Sequence, residues 1–139
     1  MSETRRSPVK AYANEKFLNS KDARALRILA EYLEPRSRFE RLKVEDTIVF
    51  MGSARTLSRE NAEAALRKAE RGGGDVEGAR MALRMSVYYE AARELARRIT
   101  QWSKSLDPKS RRFVVCTGGG PGIMEAASRG ASDARGMNV

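Results

Sequence analysis

The chain contains no histidine and a single cysteine, Cys116. Without histidine, the most common general base, the most common metal ligand and Ser-His-Asp catalysis are all excluded. With one cysteine, neither an intrachain disulfide nor a cysteine-based zinc site can form. Any chemistry must therefore use carboxylates, arginines and backbone amides, and we expect neither a metal nor a cofactor.

Long apolar runs are also missing. No segment approaches the roughly 20 apolar residues that span a bilayer. The arginines near the N-terminus, Arg5 and Arg6, are not followed by the apolar segment of a secretory signal. We therefore expect a cytoplasmic protein with no membrane partner.

Aromatic residues are scarce, at 6% of the 139 residues, although the net charge is +9. A basic chain raises nucleic-acid binding as an alternative. The excess positive charge is spread along the chain, however, with +4 in residues 1 to 45 and +5 in residues 46 to 139. Because there is neither a concentrated basic patch nor a supply of aromatic side chains for base stacking, we expect a solvated basic surface and no specific nucleic-acid binding.

Residues 1 to 45 have the pattern of a helical N-terminal extension. We expect residues 1 to 19 to form a mobile arm. Ser20 is a potential N-cap for a helix over residues 21 to 34, in which apolar side chains recur at helical spacing. Pro35 is expected to end that helix, and residues 36 to 45 to hold another short helical turn.

Residues 46 to 139 alternate between apolar runs and helical patterns. The run at 47–51 has no polar alternation, which indicates a parallel strand that is covered on both faces. In the second run Cys116 is expected to act as a small core hydrophobe. The first half of the predicted order is a strand at 47–51, a helix capped by Ser58 and extending to about residue 71, a glycine loop at 72–74, and a helix from about residue 76 or 80 to 103. A turn at 107–110, a strand at 113–116, a helix over 123–134 and the start of a third strand at 137–139 are expected to follow.

This order predicts an α/β fold with two complete parallel strands and the start of a third. The turns after the two strands then open at the carboxyl edge of the sheet, where such folds bind ligands. The long helix is expected to turn one face into the core, made of Tyr88, Ala91, Ala92, Leu95, Ile99 and Trp102.

The turn after the second strand, Gly118-Gly119-Gly120-Pro121-Gly122, leads directly into a helix. Glycines let the backbone approach a ligand closely, and proline fits the first turn of a helix. Free amides and the helix dipole then favour an anion such as phosphate. Ser53 and Arg55, in the turn after the first strand, are expected to add a hydroxyl and a guanidinium to the same phosphate.

Each of these features also has an explanation without a ligand. The loop lacks the third glycine of the dinucleotide fingerprint and the lysine of a Walker loop, so it can be a tight strand-to-helix turn. Ser53 can cap its own turn, and Arg55 can be a surface charge. The other triple glycine, at 72–74, follows a polar helix and is expected to be only a helix stop and a loop.

A resemblance to a known family is carried by two segments, Phe50-Met51-Gly52-Ser53-Ala54-Arg55 and Gly118-Gly119-Gly120-Pro121-Gly122-Ile123-Met124-Glu125-Ala126-Ala127-Ser128-Arg129-Gly130-Ala131. They resemble the LOG ("Lonely Guy") family, often labelled "possible lysine decarboxylase". The resemblance covers about residues 46 to 139, and the helical extension is similar to the longer branch of the family.

The resemblance implies a Rossmann-like phosphoribohydrolase and a homodimer or larger oligomer. Such enzymes hydrolyse the N-glycosidic bond of a nucleoside 5′-monophosphate, AMP or a cytokinin riboside monophosphate, to the free base and ribose 5-phosphate. It further implies that the nucleotide is held by Gly52, Ser53, Arg55, Gly118, Gly119, Gly120, Gly122 and Met124.

The second signature of the family, P-G-G-x-G-T-x-x-E, and the arginine before it have no match in this sequence. In the family, that glutamate and arginine are the expected catalytic pair, so the catalytic residues of this chain are unknown. Glycosidic cleavage needs a carboxylate near its oxocarbenium-like transition state, and Glu125 is the only acidic residue beside the loop. Glu125 can instead serve the helix dipole or a subunit contact.

We therefore expect the chain to be the N-terminal part of a nucleotide hydrolase of this type, divided into the helical extension 1–45 and the Rossmann-like part 46–139. Two other functions stay open. One is a non-catalytic nucleotide-binding module that has one half of the phosphate site. The other is a basic interaction protein that acts through its helical extension.

Overall fold

A computed structural model describes residues 9–106 and 111–139 of the chain. The chain divides into two compact units, an N-terminal unit that ends at Leu42 and a C-terminal unit from Lys43 to Val139. The predicted turn at 107–110 lies outside the described residues. Across the two described ranges, no helix combines the length and the apolar character that crossing a membrane requires.

The N-terminal unit is helical. A 3-10 turn, Ala11–Ala13, leads to α1, Glu15–Leu18, which is followed by α2, Arg24–Leu42. Asn14 caps α1, because its side-chain oxygen accepts a hydrogen bond from the Phe17 amide at 3.1 Å. Residues 9 to 19 thus contain helical turns in the segment where a mobile arm was expected, and residues 1 to 8 lie outside the described part of the chain.

Helix α2 begins and ends later than predicted. Ser20 is not its N-cap, since the helix starts at Arg24 and the Ser20 hydroxyl has no partner among the described residues. Pro35 lies inside the helix, where it removes one backbone donor without ending it. Two ion pairs between residues four apart link the turns around the proline, Glu34–Arg38 at 2.6 Å and Arg36–Glu40 at 2.9 Å.

The sheet lies in the C-terminal unit. Its two strands, β1 (Thr47–Phe50) and β2 (Val114–Thr117), pair in parallel. A third parallel segment begins on the other side of β2, where the Val139 amide donates to the Val115 carbonyl at 3.0 Å and the Val139 carbonyl accepts from the Thr117 amide at 2.8 Å. The predicted α/β architecture, with two complete strands and the start of a third, is confirmed.

One face of β1 is open within the described residues. Val49 is 57% exposed, and Cys116, which pairs with it, is half-buried. The prediction that this strand is covered on both faces is therefore wrong for the described chain, and Cys116 lies at the margin of the core. The reason is that the core packs against the opposite face, which carries Phe50.

Helix α3, Arg59–Lys68, follows β1. Ser58 caps it as predicted, with its hydroxyl oxygen accepting from the Asn61 amide at 3.3 Å. A wider π-helical turn, Ala69–Gly73, follows α3, and the positive φ of Gly72, 95°, ends the helical path there. The prediction of a helix stop at this triple glycine is confirmed.

Helix α4, Val76–Lys104, begins at an N-cap that the sequence pattern did not single out. The Asp75 carboxylate accepts a hydrogen bond from the Gly78 amide at 2.9 Å, which satisfies one of the free donors at the helix start. Of the two starts predicted for this helix, residue 76 is correct and residue 80 is wrong. The predicted end of α4 and the predicted bounds of α5, which spans Ile123–Asp133, are confirmed to within one residue.

Helices α4 and α5 lie in close contact and run in the same direction: Arg93 lies against Gly130 of α5, and Thr100, further along α4, lies against Gly136, which follows the end of α5. Gly130 is required at its position, since a β-carbon there would overlap the Arg93 carbonyl. The Arg93 guanidinium also donates to both Asp133 carboxylate oxygens, at 2.6 and 3.0 Å. The core beneath this contact contains Ala96, Val115, Ala127 and Ala131.

The core-facing side of α4 differs from the predicted one. Tyr88, Leu95 and Trp102 are 58, 52 and 48% exposed. Of the other positions expected in the core, Ala91 is exposed, whereas Ala92 and Ile99 are half-buried. The buried side carries mostly smaller residues, because close approach to the α5 backbone leaves little room for large side chains; it consists of Ser86, Tyr89, Ala96 and Thr100.

We predict that Gly130→Ala lowers the unfolding free energy by about 1–3 kcal/mol, because the new methyl group forces α4 and α5 apart. The matched control is Ser132→Ala, at an exposed position of the same helix, which is expected to change stability by less than about 0.5 kcal/mol. Urea unfolding of both variants measures the difference. Equal midpoints would show that the two helices do not approach this closely.

A second prediction concerns Glu94 on α4. Its carboxylate oxygens accept from Arg97 and Arg98, at 2.7 Å each, and these bonds lower the pKa of Glu94 from 4.5 to about 2. Because the pKa of Glu94 is lower in the folded protein than in the unfolded chain, these bonds stabilise the fold fully at a pH above the ordinary pKa of 4.5. This stabilisation is lost as the pH falls toward 2. Glu94→Gln is therefore expected to reduce the loss of unfolding free energy between pH 5 and pH 2.

The double variant Arg97→Gln/Arg98→Gln is the reciprocal test. It removes both donors, so its stability is expected to depend on pH as weakly as that of Glu94→Gln. Urea unfolding at several pH values measures all three proteins. A Glu94→Gln variant with the full wild-type pH dependence contradicts the assignment.

Candidate functional site

The turns that follow β1 and β2 leave the sheet at the same edge. Phe50 pairs with Thr117 in the parallel register, so both strands end at the same level. The segment 51–55 and the glycine loop 118–122 therefore begin side by side at the carboxyl edge, as the sequence predicted.

The two turns are in direct contact. The Ile123 amide donates to the Ser53 carbonyl at 3.2 Å. Gly122 has a φ of 76°, and a β-carbon there would overlap the Ser53 carbonyl. A β-carbon at Gly52 would lie 2.7 Å from the Ile123 β-carbon. The glycines at 52 and 122 are thus explained by the packing of one turn on the other.

The first turn of α5 offers backbone donors. The N-cap, Gly122, makes no side-chain capping bond, and the Ile123 amide is taken by Ser53. The amides of Met124 and Glu125 have no hydrogen-bond partner among the described residues. Two free amide donors at the positive end of the helix dipole favour an anion. The Ile123 amide is not available to that anion, because it already donates to Ser53.

The three leading glycines of the loop have different surroundings. Gly119 has a φ of 70°, and its α-carbon faces open space. Gly118 and Gly120 lie under Met124, whose Cε would be 2.5 Å from a β-carbon at Gly120. Of these glycines, Gly119 has both the positive φ and the free space that a ligand close to the backbone needs.

Thr117 supports the loop and was missed by the sequence pattern. Its hydroxyl oxygen accepts a hydrogen bond from the Gly119 amide at 3.1 Å and lies 3.3 Å from the Ser128 hydroxyl. A threonine two residues before a turn amide is a known local turn signal, so this role could have been found from the sequence.

Ser53 and Arg55 behave differently from each other. The Ser53 hydroxyl accepts a hydrogen bond from the Arg55 amide at 3.2 Å, so it caps its own turn. The Arg55 side chain is exposed, and its guanidinium makes no hydrogen bond or ion pair with any described residue. The guanidinium therefore has the freedom to meet a ligand at this edge.

Glu125 is already engaged. Its carboxylate forms an ion pair with Arg129, one turn further along α5, at 2.7 Å. The described ranges contain no group of three or more histidine, cysteine, aspartate or glutamate side chains that could hold a metal ion, so Glu125 is not part of one. The structure thus brings the glycine loop, Ser53, Arg55 and Glu125 to one edge of the sheet.

A buried tyrosine was also missed as a polar group near this edge. Tyr89 is 1% exposed, and its hydroxyl has no hydrogen-bond partner among the described residues. Burial raises the pKa of Tyr89, and the negative charge of Glu125 raises it further. The hydroxyl is thus neutral and desolvated close to the first turn of α5.

No family model matches the chain, and no curated protein or solved structure is significantly similar to it. The resemblance to the LOG family stays a prediction.

We predict that Tyr89→Phe raises the unfolding free energy by up to about 1 kcal/mol, because a buried hydroxyl without a partner is removed. Tyr88→Phe is the control, since the same oxygen is lost there from an exposed side chain, and little change is expected. Thermal and urea unfolding measure both. A loss of stability in Tyr89→Phe would reveal that the hydroxyl is hydrogen-bonded.

Proposed function

We propose that the carboxyl edge of the sheet binds the phosphate of a nucleoside 5′-monophosphate. The observation that carries the proposal is the pair of unpartnered amides, Met124 and Glu125, next to Gly119 and its open space. A phosphate oxygen is the anion that such a helix start accepts without any side-chain ligand.

The neighbouring residues take distinct roles in this proposal. The Arg55 guanidinium supplies positive charge from the adjacent turn. Met124 covers the loop beside Gly119, and Thr117 holds the loop from below through the Gly119 amide. Ser53 acts through its carbonyl, which orients the start of α5, so its hydroxyl is not needed as a phosphate ligand.

We further propose that the C-terminal unit is the first part of a Rossmann-like domain of a LOG-type phosphoribohydrolase. The strand order supports this, since β2 lies between β1 and the third segment, as in the first half of a doubly wound sheet. The exposed large side chains of α4, Tyr88, Leu95 and Trp102, support the homo-oligomer that the resemblance implies.

Cleavage of the glycosidic bond is a separate matter from binding. It needs a carboxylate that can stabilise an oxocarbenium-like state or orient a water molecule. Glu125 is bound to Arg129 and lies in the helix turn where the phosphate is proposed to bind. This observation favours the second candidate function, nucleotide binding without hydrolysis, for the 139-residue chain.

We predict that Gly119→Ala weakens AMP binding at least about tenfold, since the added carbon occupies the space beside the phosphate and a positive φ disfavours it. Gly72→Ala is the matched control. Gly72 also has a positive φ with open space around it, but it lies at the end of α3. Both variants are expected to lose similar stability, so only the loss of AMP binding differs.

Isothermal titration with AMP and chromatography of released adenine test binding and cleavage in the same samples. We expect AMP binding without stoichiometric adenine release. If AMP binds Gly119→Ala and Gly72→Ala equally well, the loop is not the phosphate site. Adenine release that is lost in Glu125→Gln would instead identify Glu125 as a catalytic residue.

A further inference from the structure

A second concave site lies at the opposite end of β2 from the glycine loop. It is a cavity of about 580 Å³ in the C-terminal unit, formed by the last turns of α4, the start of β2 and residues 135 to 138. Its volume is in the range of small-molecule sites. Val115 is the cavity residue of β2 nearest to the glycine loop, and the strand between it and Gly118 is roughly 10 Å long, so the two sites are spatially separate.

The wall of the cavity along the sheet is apolar. Phe113, Val114, Val115 and Met137 supply it, and both valines are buried. Trp102 stacks on Phe113 with 4.9 Å between the ring centroids, which holds the phenyl ring in position. This wall suits a flat apolar body and gives no partner to a bare inorganic ion.

The polar side of the cavity is basic. Lys104, Arg111 and Arg135 contribute to its lining, and no described residue that lines it is acidic. The Lys104 ammonium is held near the cavity by its hydrogen bond to the Ala134 carbonyl at 3.1 Å. Lys104 and Arg135 beside an apolar wall therefore create a positive potential, and no acidic side chain is present among the described residues of the lining to offset these two charges.

The backbone that carries Arg135 is fixed. Its amide donates to the Ser132 carbonyl at 2.8 Å, and the Gly136 amide donates to the Ala131 carbonyl at 2.9 Å. Arg135 has a φ of 50°, and a β-carbon at Gly136 would overlap the Thr100 side chain. This loop is thus packed directly on α4, and the cavity wall is formed before any ligand binds.

We propose that this cavity binds a small organic anion, with an apolar ring or chain against Phe113, the two valines and Met137, and its acidic group near Arg135 and Lys104. The combination of an apolar wall with the positive charges of Lys104 and Arg135 selects this class over cations, neutral hydrocarbons and free phosphate. The proposal does not depend on the glycine loop or on its ligand.

The test uses 2-naphthalenesulfonate as the anion and 2-naphthylmethylamine as a cation with the same ring system. Trp102 is the only tryptophan of the chain and contacts the cavity wall through Phe113, so its emission reports binding. We expect saturable binding of the sulfonate, with AMP not competing. No binding, or equal binding of the cation, overturns the proposal.

Variants identify the site. Arg135→Gln is expected to weaken sulfonate binding about tenfold through loss of one charge-assisted contact. Met137→Glu is expected to abolish it, because a carboxylate enters the lining. Arg84→Gln is the matched control, since Arg84 is an exposed α4 arginine outside the cavity. Equal affinity in Arg135→Gln and Arg84→Gln assigns the binding to another surface and refutes the proposal.

Discussion

The hydrogen bond from the Ile123 amide to the Ser53 carbonyl is the contact on which the arrangement of the carboxyl edge depends. It joins two turns that are far apart in sequence, and it is made only because Gly122 has no side chain to keep the Ser53 carbonyl away. The bond sets where α5 starts. It thereby decides which amides are used inside the protein and which, at Met124 and Glu125, face outward.

Missing or small side chains also allow the close packing of α4 against α5 and the loop that follows it. Gly130 lets α5 lie against the Arg93 backbone, and Gly136 lets the following loop lie against Thr100. Small residues along both helices, such as Ala96 and Ala127, fill the remaining space. Glycine therefore has two uses in this chain, close packing at 52, 122, 130 and 136, and an open positive-φ backbone at 72 and 119.

Sequence reasoning could predict the elements whose signals are local. The apolar runs of β1 and β2, the Ser58 cap and the turn from β2 into α5 all follow from short patterns. Sequence reasoning failed where contacts between residues far apart in the chain determine which side chains are buried. Tyr88 and Tyr89 are adjacent, and a helix that is apolar over such a wide arc does not reveal which side is buried; only the closeness of α5 does. The prediction that Pro35 ends its helix failed for a related reason. The proline removes only one backbone hydrogen bond, and the helical turns on both sides of it continue through α2 despite that loss.

The length and contacts of helix α4 determine how cooperatively the C-terminal unit unfolds. The helix contains 29 residues, about 43 Å of helix, and it contacts α3, α5 and β2. If α3, α5 or β2 separates from the core, part of the surface of α4 becomes exposed. The amide hydrogens in the middle of α4 should therefore exchange with solvent only when the whole C-terminal unit unfolds, while those of its first turn, beyond the reach of α5, exchange through local fraying.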